Sequence, residues 1–348
     1  NIFVGVFVDG EEISPDADDK YVFTVTDDHT VDVVFERGVA VSGKQGKLNW
    51  TLYIDGGLEI TGSGAIPNLE PALDENGDPV NPHPWGAYAD DVTSITVADT
   101  VTSIGDCAFM NMEDVVKVTL GNKVSYIGDM AFANCKELTE ITLPANLEMI
   151  KDYVFEDTSI SELVIPAKVK SVAPYSFANM SNLDSFSIDE ANANLVFEDG
   201  IIWRISRGNK TAVVRAMERF VDSNLELVIP ETVTAIENHA FAGCDISSVT
   251  LGSKVSKLEP YVFVDSELEK VVLSTALKAI PEGTFAGADN LKEVFIPKTV
   301  TTIDTEAFAG CNNLEYIYFG GTEVQWNKIK VAAGNEALED ARVFCDVA

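Results

Sequence analysis

The sequence predicts a mainly β solenoid with short helical turns, right-handed by the usual rule for crossover connections. Three observations carry this. A Phe returns at Phe109, Phe132, Phe155 and Phe177, then at Phe241, Phe263, Phe285 and Phe308, with gaps of 22 or 23 residues within each set. Such a period marks one supersecondary unit stacked on copies of itself. A period-two apolar pair opens the repeats, as in Ile141/Leu143, and the position two after each Phe accepts only Asn, Asp or Gly.

Each element of one repeat follows in order. Leu138, Ile141 and Leu143, like Leu291, Val294 and Ile296, describe a short strand with its apolar side inward. A turn follows, with Pro144, Pro166, Pro230 and Pro297 or Gly121 and Gly252. A second apolar pair comes next, such as Leu147/Ile150 or Val300/Ile303, and then the Phe. Asn111, Asn134, Asp157, Asn179, Gly243, Asp265, Gly287 and Gly310 tolerate a left-handed backbone, so a φ > 0 turn should close every coil. No coil can bury its apolar residues alone, so neighbours must cover them.

Bulk properties bound the function. Fifty-six acidic against 24 basic residues give a net charge of −32 over 348 residues. Phosphate-rich partners, meaning nucleic acid or an anionic membrane, should be repelled. Basic partners or divalent cations are favoured. No apolar run approaches the length of a membrane-spanning helix, so direct membrane insertion is not expected. The chain starts at Asn1 and shows no signal peptide, as a mature or trimmed fragment would.

The five cysteines look like packing. Cys135, Cys244 and Cys311 stand three residues after a repeat Phe, where other coils have Met, Thr, Ser or Ala. Coils stacked about 4.8 Å apart would hold Cys244 and Cys311 about 15 Å apart, beyond disulfide reach. Cys107 and Cys345 lie at opposite ends of the repeats and should not meet. No metal-ligand spacing links cysteines and histidines, so no metal and no cofactor is expected. Asp74-Glu-Asn76-Gly-Asp78 starts like a calcium loop. Pro79 and Trp85 stand where such a loop needs Gly and Glu, and a polar turn is the better reading. No nucleophile elbow, zinc-protease or phosphate-loop motif occurs, and His29, His83 and His239 fall in three modules, so no enzyme is expected.

The pattern Leu-x-x-Ile-x-Leu-x-x-x-Leu-x-x-Ile-x-x-x-Ala-Phe-x-x-Cys, as in residues 138–155 and 291–311, resembles the BspA-like leucine-rich repeats of bacterial surface proteins. The resemblance runs from about residue 46 to 348. Residues 50–64 with Pro84-Trp85 look like the N-terminal cap of such proteins, and Gly320 to Trp326 with Gly334-Asn335 like the C-terminal cap. It implies a leucine-rich-repeat right-handed solenoid with both caps and a small N-terminal β module. The expected parts are 1–45, a partial β module that continues upstream; 46–91, the cap; 92–319, the solenoid, with an insert at about 189–223; and 320–348, the second cap. Ser42 to Gly46 reads as a hinge after the first part, and Asp199-Gly200 as a hairpin turn within the insert. Trp50, Trp85 and Trp326 are placed to plug the open ends.

The resemblance also implies non-catalytic, extracellular function at a bacterial cell surface, with adhesion to host extracellular-matrix proteins or other cells. A structural spacer and a glycan-binding accessory module are the competing readings. Partners would be a host or bacterial surface protein, or a glycan. Two groups of side chains are candidate contacts. One is a ladder two residues before the Phe, where Tyr153, Tyr175, His239 and Tyr261 are aromatic. The other lies at the end of the outward strand face, where Phe295 and Tyr318 follow the Thr, Ser and Val of earlier coils and Tyr316 stands beside them.

Overall fold

A computed structural model describes residues 2–25, 28–221 and 226–347. It is mostly β, with about 5% helix. The described chain divides into two compact units: Asn1–Pro144 with Tyr153–Ser161 and Ala178–Asn182, and Ala145–Asp152 with Glu162–Phe177 and Leu183–Ala348.

In the first unit, strand Ile2–Val8 pairs antiparallel with Glu11–Ile13 and Val31–Glu36. Residues 42–45, expected as a hinge, instead extend strand Val39–Gln45, which forms a hairpin with Leu48–Tyr53. The glycines there do not make a linker, because Gly43 lies across from Trp50, and a Cβ on it would come within 2.7 Å of the indole. Strand Gly57–Gly62 then starts a parallel run through Ser94–Val97, Lys117–Thr119 and Glu140–Thr142, one strand per coil. Asp74 accepts from the backbone N–H of Asn76 and Asp78, making a polar turn between the short paired strands Ala72–Leu73 and Pro79–Val80.

The core of this unit is a column of flat rings. Phe109, Phe132 and Phe155 are fully buried, with centroids 5.4 and 6.0 Å apart and planes within 18°. Trp85 continues the column 5.9 Å beyond Phe109, and His83 stacks on Trp85 at 4.9 Å. The indole N–H donates to Ala108 O at 2.6 Å, so the plug satisfies its one polar atom. Burial holds the His83 imidazole below its usual pKa.

The second unit carries a parallel sheet in the order Glu226–Val228, Ser248–Thr250, Lys270–Val272, Glu293–Ile296, Tyr316–Phe319, Arg342–Phe344. Phe241, Phe263, Phe285 and Phe308 stack behind it at 5.2, 5.4 and 5.0 Å. Buried Asn335 closes the column: its Oδ1 accepts from Phe308 N, while Nδ2 donates to Asp304 O and Ala332 O. Trp326, on a short helix with a Thr322/Gln325 capping box, packs edge-on against Phe319 at 5.4 Å.

Residues 195–216 form a three-stranded meander, Leu195–Glu198, Ile201–Ser206 and Asn209–Ala216. Asp199-Gly200 is its first turn, with φ of 53° and 75°. Arg207-Gly208 is a second turn of the same kind that the sequence reading missed, since Arg is a poor marker of a left-handed position. Phe177 departs from the stacking of its repeat partners. It is only half-buried and meets Phe186 edge-on at 5.1 Å, in a cluster with Phe197 and Phe220.

All eight Asn, Asp or Gly positions after the Phe have φ between 52° and 73°. The position two before the Phe is also left-handed, at Cys107, Met130, Tyr153, His239, Tyr261, Gly283 and Glu306. With both flanks so turned, alternate amides face the next coil: Cys107 N, Phe109 N and Asn111 N donate to Asp129 O, Ala131 O and Ala133 O.

All five cysteines are free thiols. Burial pushes Cys135 and Cys311 up to about 12 and Cys107 and Cys244 up to about 11. A raised thiol pKa leaves almost no thiolate, the reactive form, at neutral pH. A thiol reagent at about pH 8 should therefore label half-buried Cys345 first in the native protein and all five after denaturation. Native labelling of Cys135, read by peptide mass mapping, would contradict the packed core.

Candidate functional site

The aromatic residues on the outer face of the C-terminal sheet form one continuous ladder. Strand register sets Val272 beside Phe295, Phe295 beside Tyr318, and Tyr318 beside Phe344. Side chains alternate along a strand, so this column faces outward while Val271, Val294 and Ile317 fill the core. Phe295 and Tyr318 stack at 4.4 Å and 17°, and Tyr318 and Phe344 at 5.6 Å and 19°. Tyr316, in the neighbouring column, lies 6.3 Å from Tyr318 and 6.2 Å from Phe344. Earlier coils put Val228 and Thr250 in the same column, so the aromatic character is confined to one end.

Phe295, Tyr316 and Tyr318 are thus brought together, as half-exposed rather than fully exposed rings. Phe344 completes the ladder at 46% exposure, and the sequence reading missed it. Arg342-Val343-Phe344 repeats the out-in-out alternation of Tyr316-Ile317-Tyr318, which was the available signal. The 26-residue gap between Tyr318 and Phe344 hid it, because the terminal cap lengthens that coil beyond the regular beat.

A groove of about 310 Å³ runs beside the ladder. Val272, Phe295 and Tyr318 make one wall, and the turn Pro297-Lys298-Thr299 another. Lys270 Nζ sits 5.1 Å from the Phe295 centroid and 3.3 Å from Glu293.

The other candidate ladder is the aromatic position two before the repeat Phe. Tyr175, His239 and Tyr261 lie together in the second unit, with centroids 4.8 and 5.2 Å apart. Tyr153 belongs to the first unit. All four are half-buried. Arg215, on the inserted meander, donates to His239 O at 2.5 Å and stands 6.0 Å from the Tyr175 ring. Burial, and then the Arg215 charge, hold His239 below its usual pKa. Tyr261 donates to Glu282 at 2.7 Å, which raises its phenol pKa. Its ring lies across Gly283, where a Cβ would meet it at 2.2 Å. Tyr153, His239 and Tyr261 also occupy left-handed backbone, an unfavourable choice for bulky side chains.

Among the described residues no group of three His, Cys, Asp or Glu side chains is placed to hold a metal ion. No helix among them is long and apolar enough to cross a membrane.

Stacked strand-and-turn coils with a ring column inside and an outward sheet face define a leucine-rich-repeat solenoid protein. The model of the BspA type leucine-rich repeat region matches residues 87–197 and 217–329 in six copies, more than half of the chain, and the chain belongs to this family. Among solved structures it is similar to a leucine-rich repeat protein of Eubacterium ventriosum, at 18% identity and TM-score 0.61, covering 89% of this chain and 96% of that one. It is also similar to the pneumococcal vaccine antigen PcpA, at 15% identity and TM-score 0.58, covering 89% and 88%. At these identities the likeness is one of fold. No curated protein matches the sequence significantly.

Proposed function

We propose that this chain is a non-catalytic binding protein of a bacterial cell surface, and that it adheres to host extracellular-matrix proteins or to other cells. One observation carries the reading: the outward ladder of Phe295, Tyr318 and Phe344, with Tyr316 beside it, on a sheet whose other coils put small β-formers there. Clustered, partly exposed aromatic side chains are the usual energetic centre of a protein contact. Stacking on one another across paired strands holds these rings in place before binding, which lowers the ordering cost. Membership of the BspA-type family supports the surface assignment.

The test is binding of the 348-residue chain to arrays of matrix proteins and glycans at low and physiological salt. A saturable protein ligand is expected. The triple change Phe295→Ala, Tyr318→Ala, Phe344→Ala should weaken it at least about tenfold, because a few buried aromatic anchors dominate such interfaces. A folded chain that binds nothing would favour the spacer reading. A glycan-only profile would favour the accessory-module reading.

A further inference from the structure

The groove beside the ladder says what kind of segment it takes, an inference that rests on the binding reading above. Stacking leaves little free ring face. Tyr318 is covered by Phe295 on one side and Phe344 on the other, and Phe295 by Tyr318 and by the Lys270 ammonium. Sugars bind aromatic side chains by lying flat on an open face, and that face is closed at Phe295 and Tyr318, the two rings that line the groove. What these two rings present to the groove is their edges, the positive part of the ring quadrupole. An edge favours oxygen atoms and apolar groups over cations.

Charge points the same way. Among the described residues lining the groove there is no carboxylate, and Lys298 is the one ionic side chain. This occurs in a chain with 56 acidic residues. Lys298 is exposed and has no ion-pair partner among the described residues, unlike Lys270 and Lys292 nearby in sequence, which pair with Glu293 and Glu269. The apolar walls, Val272, Pro297 and the ring edges, can bury aliphatic surface, and about 310 Å³ suffices for two or three side chains rather than a folded domain.

We infer that the groove takes an extended segment of a partner protein carrying an aliphatic side chain next to a carboxylate, the aliphatic group lodged against Val272 and Phe295 and the carboxylate held by Lys298. The local preference is opposite to that of the whole surface, where −32 favours basic partners. An acidic segment must approach against this field, so moderate salt should speed its association by screening the repulsion.

The experiment uses two fluorescent decapeptides, one of alternating Leu and Asp and one of alternating Leu and Lys, titrated into the full chain at physiological salt. The Leu-Asp peptide should bind saturably, and Lys298→Glu should weaken it about tenfold or more, the size of one charge-assisted contact. Val272→Trp, which fills the groove without touching the charge, should abolish it. Equal or tighter binding of the Leu-Lys peptide by the wild type, an unchanged affinity in Lys298→Glu, or displacement of the peptide by an oligosaccharide would overturn the inference. The two readings fail separately. If the triple aromatic variant loses its matrix ligand while neither peptide binds, the adhesive surface stands and the acidic occupant is wrong.

Discussion

Phe263→Ala should lower stability by about 3–5 kcal/mol, among the largest effects available to a single substitution in this protein. The ring is fully buried and stacked on both sides, on Phe241 at 5.2 Å and on Phe285 at 5.4 Å. Backbone hydrogen bonds lock its coil to the next, with Phe263 N donating to Thr284 O, so the cavity cannot close by collapse. In a stacked array each coil couples mainly to its neighbours, and lost hydrogen-exchange protection should centre on the coils of Phe241 and Phe285. Phe177→Ala is the control. That ring is half-buried and edge-on to Phe186, and its removal should cost clearly less. Equal losses in chemical denaturation would mean that the ring column is not what holds the coils.

Trp85→Ala should have an effect of similar size, about 3–5 kcal/mol, but at the end of a column. The indole is fully buried, stacks between His83 and Phe109, and donates to Ala108 O. Its loss uncovers Phe109 and leaves the Ala108 carbonyl without its indole donor. Amides around Phe109 should then exchange faster than those around Phe132, because fraying starts at the exposed end. Trp85→Phe keeps the stack and loses the donor, so it should recover most of the loss. If Trp85→Ala left exchange near Phe109 unchanged, the cap would owe its stability to the hairpin strands instead.

Phe263 and Trp85 both stand out in the sequence. The 22–23-residue beat of Phe and the Asn, Asp or Gly two places later are local facts, because any stacked coil must repeat its core residue and its tight turn. Family, coil plan and the left-handed turn two after each Phe were therefore readable from residue types alone, while the left-handed position two before it, filled mostly by Cys, Met, Tyr, His or Glu, was not. The hinge at Ser42 to Gly46 was misread, because glycine marks a close backbone approach as readily as a flexible joint, and here Gly43 makes room for Trp50. Phe177 shares the spacing of its partners, and spacing cannot report ring orientation. Phe186, on the strand that follows it, meets that ring edge-on, and Phe197 of the meander and Phe220 beyond it pack around Phe186.

The candidate site divides in the same way. Composition singled out Phe295, Tyr316 and Tyr318 as unusual on an outward face. Only register between distant segments added Phe344, and only packing showed that the rings cover one another's faces. Arg215 came to Tyr175 and His239 through the fold of the meander, from a stretch with no repeat to align. Periodicity thus determined which residues face inward and where each coil turns. Tertiary structure decided which outward side chains meet, which ring faces stay open, and that Lys298 is the one ionic side chain among the described residues lining an apolar groove. The physical reason is that a repeat encodes contacts between equivalent positions of successive coils, while a binding surface arises where that equivalence ends.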